Sequence, residues 1–312
     1  MKSCVFLCVL ALCSVSVPAE THREVAPLDI RFGRLSALRL LANGNLLAAD
    51  NESREIKEIS PDGKLVRTFS PGIAPDALAV APNGDIYCAG NGKLLRLSTD
   101  GKILHTAILP PPRKLTEQEQ RRTRGHAETV SGLAVSGPFV FAAIGSSWSV
   151  GSLSRLYRFD LNLGHETKLI DKLRACCQRC DLAARDNSLY IAENAVHRVV
   201  RCDHDGKVLA SWGAPSRAND LEGFGSCCNP MNLCFGSDGS LYTAESGLAR
   251  IKRYKTDGAF LNLVGTVGVE RFNTAGHLAA SCSNIAIAVT RDGRRIYVMD
   301  YKNSLIRVLE QR

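Results

Sequence analysis

A short pattern recurs six times in the 312-residue sequence, and this repetition limits the chain to a few architectures. Each copy is an apolar stretch, a turn that often contains Asn-Gly or Asp-Gly, and a second apolar stretch, as in Ala77 to Gly90. Because these turn residues tolerate the positive φ of a tight turn, each copy predicts a β-hairpin. The copies align on Leu38, Leu78, Leu133, Leu182, Leu233 and Ile285, which are 40, 55, 49, 51 and 52 residues apart. A period of this length is typical of the blades of a β-propeller.

Two more strands follow the hairpins. A third strand such as Arg250 to Tyr254 is followed by a turn of the Asp-Gly-Lys kind and then by a fourth strand. The sixth copy ends after a third strand, Leu305 to Leu309, and the segment Val25 to Phe32 ahead of the first copy can supply its fourth strand. We therefore predict an all-β fold, a six-bladed β-propeller with four-stranded blades, in which an N-terminal strand completes the last blade and closes the ring.

The end of the second strand carries a more specific feature. An acidic residue stands there in four copies, at Asp50, Glu193, Glu245 and Asp300, and Gly90 and Gly145 replace it in blades two and three. Together with the third strand and the closing Asp-Gly-Lys, this pattern resembles the NHL repeat. The resemblance covers residues 24 to 310 and implies a fold rather than a function, since such propellers bind, scaffold or catalyse. We expect the acidic residues to form hydrogen bonds inside their blades.

The first 19 residues have the pattern of an export signal. Lys2 is followed by an apolar run from Cys4 to Val17, and Ala19 precedes the polar Glu20. The run is too short to span a membrane, so we predict a cleaved signal peptide at 1–19 and a periplasmic or secreted protein. Lipidation at Cys13 is the alternative. Residues 20–312 are then a single NHL-type propeller domain, with an insertion at 110–128 between blades two and three.

Charge and known motifs exclude several classes of function. The 39 basic and 31 acidic residues are scattered, without the basic runs of a nucleic-acid surface, so the net charge of +8 favours solubility alone. No nucleotide-binding loop, nucleophile elbow or His-Glu-x-x-His helix is present in the sequence. The sequence leaves open whether the protein is an enzyme and whether it forms oligomers.

Cysteines give the clearest functional signal. Of the 12 in the chain, three lie in the signal, which leaves nine, an odd number. Six of the nine come just before the first strand of a blade, where loops of successive blades meet around the channel, and Met231 and His126 have the same position in the repeat. The predicted metal ligands are Cys176, Cys177, Cys180, Cys227, Cys228, Cys282, Met231 and His126. Thiolates with thioether or imidazole favour copper, zinc or an iron–sulfur cluster.

The sequence leaves open two alternatives to a cysteine-ligated metal. The same cysteines could form disulfides, which would make the protein a stapled binding or scaffold propeller for a protein or small-molecule ligand at the channel mouth. An iron–sulfur cluster is less favoured than copper or zinc, because the signal lacks the twin arginine of folded export. Gluconolactonase-type propellers hold a divalent cation with a ring of oxygens, for which Asp76, Asp181, Asn232 and Asn284 are candidates, although they could equally cap turns.

We expect protein recovered from outside the cytoplasm to begin at Glu20. N-terminal sequencing and intact mass measurement of exported material check this expectation, because cleavage after Ala19 removes the whole apolar run. Material that begins at Met1, or that carries a lipid on Cys13, would contradict it.

Overall fold

The computed structural model describes residues 20–111, 117, 129–145, 152–176, 179–216, 221–268 and 284–312. The predicted signal peptide and most of the predicted 110–128 insertion lie outside these residues. Within them the chain forms 24 strands and one 3₁₀ turn at Asn194–Val196. None of the helical structure in this part of the chain is long and apolar enough to cross a membrane.

The strands form six separate four-stranded antiparallel sheets, which confirms the predicted propeller. Blade one contains β2 (Leu35–Leu40), β3 (Leu46–Asp50), β4 (Glu55–Ile59) and β5 (Leu65–Phe69), and blade two contains β6 (Ala77–Val80), β7 (Ile86–Gly90), β8 (Lys93–Leu97) and β9 (Ile103–Ile108). Blade three contains β10 (Thr129–Ser136), β11 (Phe139–Gly145), β12 (Ser152–Asp160) and β13 (Thr167–Ala175), and blade four contains β14 (Leu182–Arg185), β15 (Ser188–Glu193), β16 (Arg198–Cys202) and β17 (Val208–Trp212). Blade five contains β18 (Asn232–Phe235), β19 (Leu241–Glu245), β20 (Arg250–Tyr254) and β21 (Phe260–Thr266), and blade six contains β22 (Ile287–Val289), β23 (Arg295–Asp300), β24 (Leu305–Gln311) and β1 (His22–Val25). The first strand of each blade contacts the first strands of its neighbours, so these six inner strands surround the channel.

The ring closes through the pairing of β1 with β24. The register runs from His22 opposite Gln311 to Val25 opposite Val308. The closing strand is therefore His22–Val25, and the predicted segment from Val25 to Phe32 was placed too far along the chain. Pro27 explains the difference, because it has no N–H to donate to a sheet. Beyond it, Leu28 makes one backbone hydrogen bond to Ile306, and Leu28, Ile30 and Phe32 pack between blades six and one.

Apolar clusters between neighbouring blades form the core. The second strand of each blade places one large side chain at the same position, and these side chains are 4% exposed or less: Leu47, Tyr87, Phe141, Tyr190, Tyr242 and Tyr297. Burial of such side chains is among the largest favourable contributions to folding. The outer strands are different, because Leu65, Val66, Ile103, Leu104, Val208 and Leu209, which follow the Asp-Gly-Lys turns, are exposed.

The acidic residues at the ends of the second strands form the expected hydrogen bonds, and Asp50, Glu193 and Glu245 also accept a backbone N–H from the segment that precedes the inner strand. Asp50 accepts hydrogen bonds from the backbone N–H groups of Gly33 and Arg34, each at 2.9 Å. Lys57 of the third strand also donates to Asp50. Burial by itself raises the pKa of Asp50, but these hydrogen bonds outweigh burial and lower the pKa to about 2.

The pKa of Asp50 predicts how stability depends on pH. Since the folded pKa is depressed, the carboxylate stabilises the fold above its unfolded pKa, and this contribution is lost as the pH falls towards 2. We expect Asp50→Asn to lower the free energy of unfolding by about 2 kcal/mol at pH 7 and by much less near pH 2. Urea denaturation at several pH values measures both effects.

Glu55→Gln is the control for this prediction. The carboxylate of Glu55 is partly exposed on the same blade and lies 4.0 Å from Lys57. Its loss should change the free energy of unfolding by about 0.5 kcal/mol or less at any pH. Equal pH profiles for the two variants would show that Asp50 does not contribute as proposed.

Candidate functional site: the channel and its cysteine-rich mouth

Polar residues at the starts of the inner strands surround one small cavity on the channel axis. We call this cavity the polar cradle; it is lined by Ser36, Asp76, Ser131, Asp181, Asn232 and Asn284 together with Arg39 and Arg179. Its volume of about 20 Å³ is enough for one water molecule.

Most polar side chains of the cradle link neighbouring blades. Ser36 Oγ donates to the carbonyl of Pro75 at 2.6 Å, which joins blade one to blade two. Asn232 Nδ2 donates to Asp181 Oδ2 at 2.6 Å, which joins blade five to blade four. Asn232 Oδ1 in turn accepts the N–H of Ile287 in blade six at 2.8 Å. These residues therefore hold the ring together at the channel.

Two arginines supply positive charge to the cradle. Arg39 extends from blade one across the channel, and its guanidinium is 3.5 Å from Asp181 in blade four. Arg179 acts electrostatically on Asp76 and Asp181. Burial raises the pKa of both carboxyls, and the nearby arginines partly offset that effect. Burial also lowers the pKa of Arg179, an effect that the two carboxylates oppose.

The cradle does not fit a divalent cation. Asp181 Oδ2 already accepts two hydrogen bonds, from Asn232 and from the N–H of Leu233. Asn232 Oδ1 accepts one from the backbone, and Asp76 accepts one from Asn51 at 2.8 Å. A divalent cation such as Ca²⁺ needs several oxygen atoms that are free to coordinate it. Here these oxygens already accept hydrogen bonds, and the guanidinium groups of Arg39 and Arg179 neutralise the two carboxylates. We assign no metal-dependent step to this site.

The structure brings together some of the predicted sulfur ligands. Cys176, Cys228 and Met231 are buried in the same apolar cluster, although Cys176 comes from a different blade junction. Cys227 is exposed, and its Sγ lies 3.3 Å from that of Cys228. This separation is longer than the bond of about 2.05 Å in a disulfide.

Cys180 lies apart from this group. It is buried in the cluster between blades three and four, and burial raises the pKa of its thiol strongly. Cys177, Cys282 and His126 lie outside the described residues. Among the residues that are described, no three His, Cys, Asp or Glu side chains are grouped to hold a metal ion. The metal site of eight residues therefore stays a prediction.

Asn194 positions the loop of Cys176. It is completely buried, its Oδ1 accepts the N–H of Cys176 at 2.8 Å, and its Nδ2 donates to the carbonyl of Cys176 at 3.1 Å. Nδ2 also lies 3.1 Å from the sulfur of Met231. Asn194 thus connects the two sulfur-bearing segments. We did not predict Asn194 from the sequence, although it follows the acidic Glu193 as Asn51 follows Asp50.

Asn229 and Lys252 position the loop of Cys227 and Cys228. The side chain of Asn229 bonds to the carbonyl of Gly225 and to both backbone groups of Ser246. Lys252 is completely buried, lies 2.8 Å from Glu245 and donates to the carbonyl of Gly223. A buried ammonium is tolerated only with such partners. Nothing in the strand pattern distinguishes Lys252 from an exposed lysine of a third strand.

Comparison with known proteins supports the fold. No family model matches the chain. Teneurin-m of Drosophila melanogaster is 30% identical over 144 residues, which is 39% of this chain and 5% of that much longer protein. A gluconolactonase from Xanthomonas campestris has 13% identity and a TM-score of 0.61, over 96% of this chain and 93% of its own. The calcium-binding protein regucalcin from Agrobacterium tumefaciens has 14% identity and a TM-score of 0.58, over 95% of this chain and 96% of its own.

A fourth similar protein was solved with a small molecule. Catalytically inactive virginiamycin B lyase from Staphylococcus aureus, with quinupristin, has 16% identity and a TM-score of 0.55, over 91% of this chain and 83% of its own. At these identities the structural matches establish a shared fold and nothing about residues or substrates. The NHL family assignment stays a resemblance.

We expect Asn194→Ala to loosen the loop of Cys176. The variant removes the acceptor of the buried Cys176 N–H and one donor to the Cys176 carbonyl, which still accepts from the N–H of Arg179, so the free energy of unfolding should fall by about 1–3 kcal/mol. Hydrogen–deuterium exchange of the Cys176 amide should become faster under native conditions, because its acceptor has been removed.

Asn51→Ala is the matched control in blade one. Asn51 follows Asp50 and likewise bonds across a blade junction, to Pro75 and Asp76, but it contacts no cysteine. The Asn51→Ala variant should be less stable than wild type, but hydrogen–deuterium exchange of the Cys176 amide should not change. If both variants accelerate that exchange equally, the effect is general and Asn194 has no specific role.

Proposed function

We propose that this protein is an exported β-propeller that binds a thiophilic metal through sulfur ligands at one mouth of its channel, for redox chemistry or metal handling. One observation carries the proposal. Buried sulfur atoms of Cys176, Cys228 and Met231, from two different blade junctions, share one cluster. Cys227 adds a further sulfur in contact with Cys228.

The chemistry of these groups decides the class of metal. Thiolate and thioether are soft ligands that favour copper or zinc over calcium or magnesium. The proposed ligands are Cys176, Cys177, Cys227, Cys228 and Cys282, with Met231 and His126 as further candidates. Cys180 is the least favoured of the predicted ligands, because it packs in the neighbouring cluster.

Three buried polar side chains fix the position of the two cysteine loops, which further supports the proposal. Asn194, Asn229 and Lys252 are 0% exposed. Their side chains hydrogen-bond to the backbone of the two cysteine loops, at Cys176, Gly225 and Gly223 respectively. Each of these buried polar contacts is costly when incomplete, so together they hold the two cysteine loops in one arrangement. Buried residues that hydrogen-bond to a ligand-bearing loop are typical of sites in which the ligands are held in fixed positions.

A second candidate is a binding propeller whose mouth is stapled by disulfides. The contact between Cys227 and Cys228 favours it, because oxidation could join the two adjacent sulfurs. The neighbours that are named as a lyase and a gluconolactonase support a small-molecule role for either candidate. In this second case the protein would bind no metal through these cysteines, because their thiols would be oxidised to disulfides.

Metal analysis and thiol counting on exported protein separate the two candidates. We expect wild-type protein to carry copper or zinc, and Cys227→Ser and Cys228→Ser to lose most of it, because each removes a sulfur ligand. X-ray absorption should give metal–sulfur distances near 2.3 Å if the metal is zinc.

Cys202→Ser is the matched control. Cys202 is buried in the third strand of blade four, out of register with the cysteine loops, so this variant should lose packing energy and keep its metal. Metal-free wild-type protein whose loop cysteines are all found in disulfides by mass spectrometry would refute the metal proposal and support the stapled binding propeller.

A further inference from the structure

The channel has a second cavity beyond the polar cradle, which we call the apolar funnel. Its volume is about 180 Å³, and all six inner strands contribute to it. Most of the residues that line it have apolar side chains, among them Leu40, Val80, Val135, Ala184, Phe235 and Ala288. An engineered cavity of about 150 Å³ in another protein holds benzene, so the funnel has room for a small ring or a short aliphatic chain.

Arg39 is the charged group of the funnel, and it lines the polar cradle as well. Its Nη1 donates to the carbonyl of Leu38 at 2.8 Å, and its Nη2 lies 3.5 Å from the carbonyl of Leu133. The same Nη2 lies 3.5 Å from Asp181. A guanidinium has five N–H donors, so in the described part of the chain at least two of them have no acceptor.

Asp181 does not depend on Arg39 for its hydrogen bonds. It accepts from the side chain of Asn232 and from the backbone of Leu233, at 2.6 and 2.9 Å. The guanidinium of Arg39 is therefore able to bind a second anion without leaving this carboxylate unpaired.

The charge around the channel also favours an anion. Among the described residues that line the funnel, Arg39 carries the one charge, so the funnel presents a single positive charge. One added monoanion neutralises it. A doubly charged ligand without an apolar part would leave excess negative charge beside Arg39 and would leave the rest of the funnel empty.

We propose that the apolar funnel binds a small monocarboxylate, with the carboxylate on the guanidinium of Arg39 and the apolar part between the inner strands. The site is distinct from the cysteine loops and independent of the proposed metal. Cys234, a partly exposed thiol that also lines the funnel, provides a local probe of its occupation.

Calorimetric titration with benzoate tests the proposal on the full mature protein. Benzoate should bind, whereas benzyl alcohol, which lacks the charge, and inorganic phosphate, which lacks the ring, should not. Bound benzoate should also slow alkylation of Cys234, measured on its peptide by mass spectrometry.

Three variants locate the site. Arg39→Gln should weaken benzoate binding by about tenfold or more, because it removes the charge. Ala184→Leu should weaken it similarly by filling the funnel, and it leaves the Arg39 contacts in place, so it tests the site even if Arg39→Gln fails to fold. Arg291→Gln, at an exposed arginine that does not line the funnel, should bind as wild type.

The proposal is overturned if benzoate does not bind, if benzyl alcohol binds equally well, or if Ala184→Leu binds benzoate like wild type. Metal content should be unchanged in Ala184→Leu, so a negative result here is distinguishable from failure of the metal proposal.

Discussion

Pairing of β1 with β24 is the interaction on which the rest of the molecule depends. Blade six contains only three strands from the C-terminal part of the chain, and its fourth comes from His22–Val25. The ladder is reinforced by an ion pair between Glu24 and Arg307 at 2.6 Å. Every blade in a propeller packs on two neighbours, so an open ring would expose two apolar faces and remove the common axis around which the six inner strands are placed. The cradle, the funnel and the cysteine loops all require that axis.

Guanidinium groups determine the charge of the polar cradle. The carboxylates of Asp76 and Asp181 both lie near arginines. Arg39 is decisive, because its side chain spans the channel and divides it into a polar and an apolar part.

The sequence predicted features that depend on local pattern. The Asn-Gly and Asp-Gly turns gave the hairpins, and their period gave the number of blades. The closing strand was misplaced because apolar residues at Leu28, Ile30 and Phe32 resemble a strand, whereas Pro27 interrupts the ladder and these side chains pack between blades.

Features that depend on distant partners could not be predicted in this way. The repeat alignment predicted that all six loop cysteines converge, but it could not show that Cys180 belongs to a different cluster from Cys176 and Cys228. The pairing of Arg39 with Asp181 joins opposite blades, and the burial of Lys252 depends on carbonyl groups about 30 residues away. No periodicity in the sequence records either contact.

The exposed apolar residues of the outer strands have a consequence for colloidal behaviour. Each of these strands has one unpaired backbone edge, and Leu65, Ile103 and Val208 stand near the start of such an edge. Edges of this kind can join those of other molecules into continuous sheets. A lysine precedes each of them, at Lys64, Lys102 and Lys207, and the chain as a whole has a net charge of +8. Mutual repulsion between these positive charges, which salt screens, therefore opposes such edge-to-edge association.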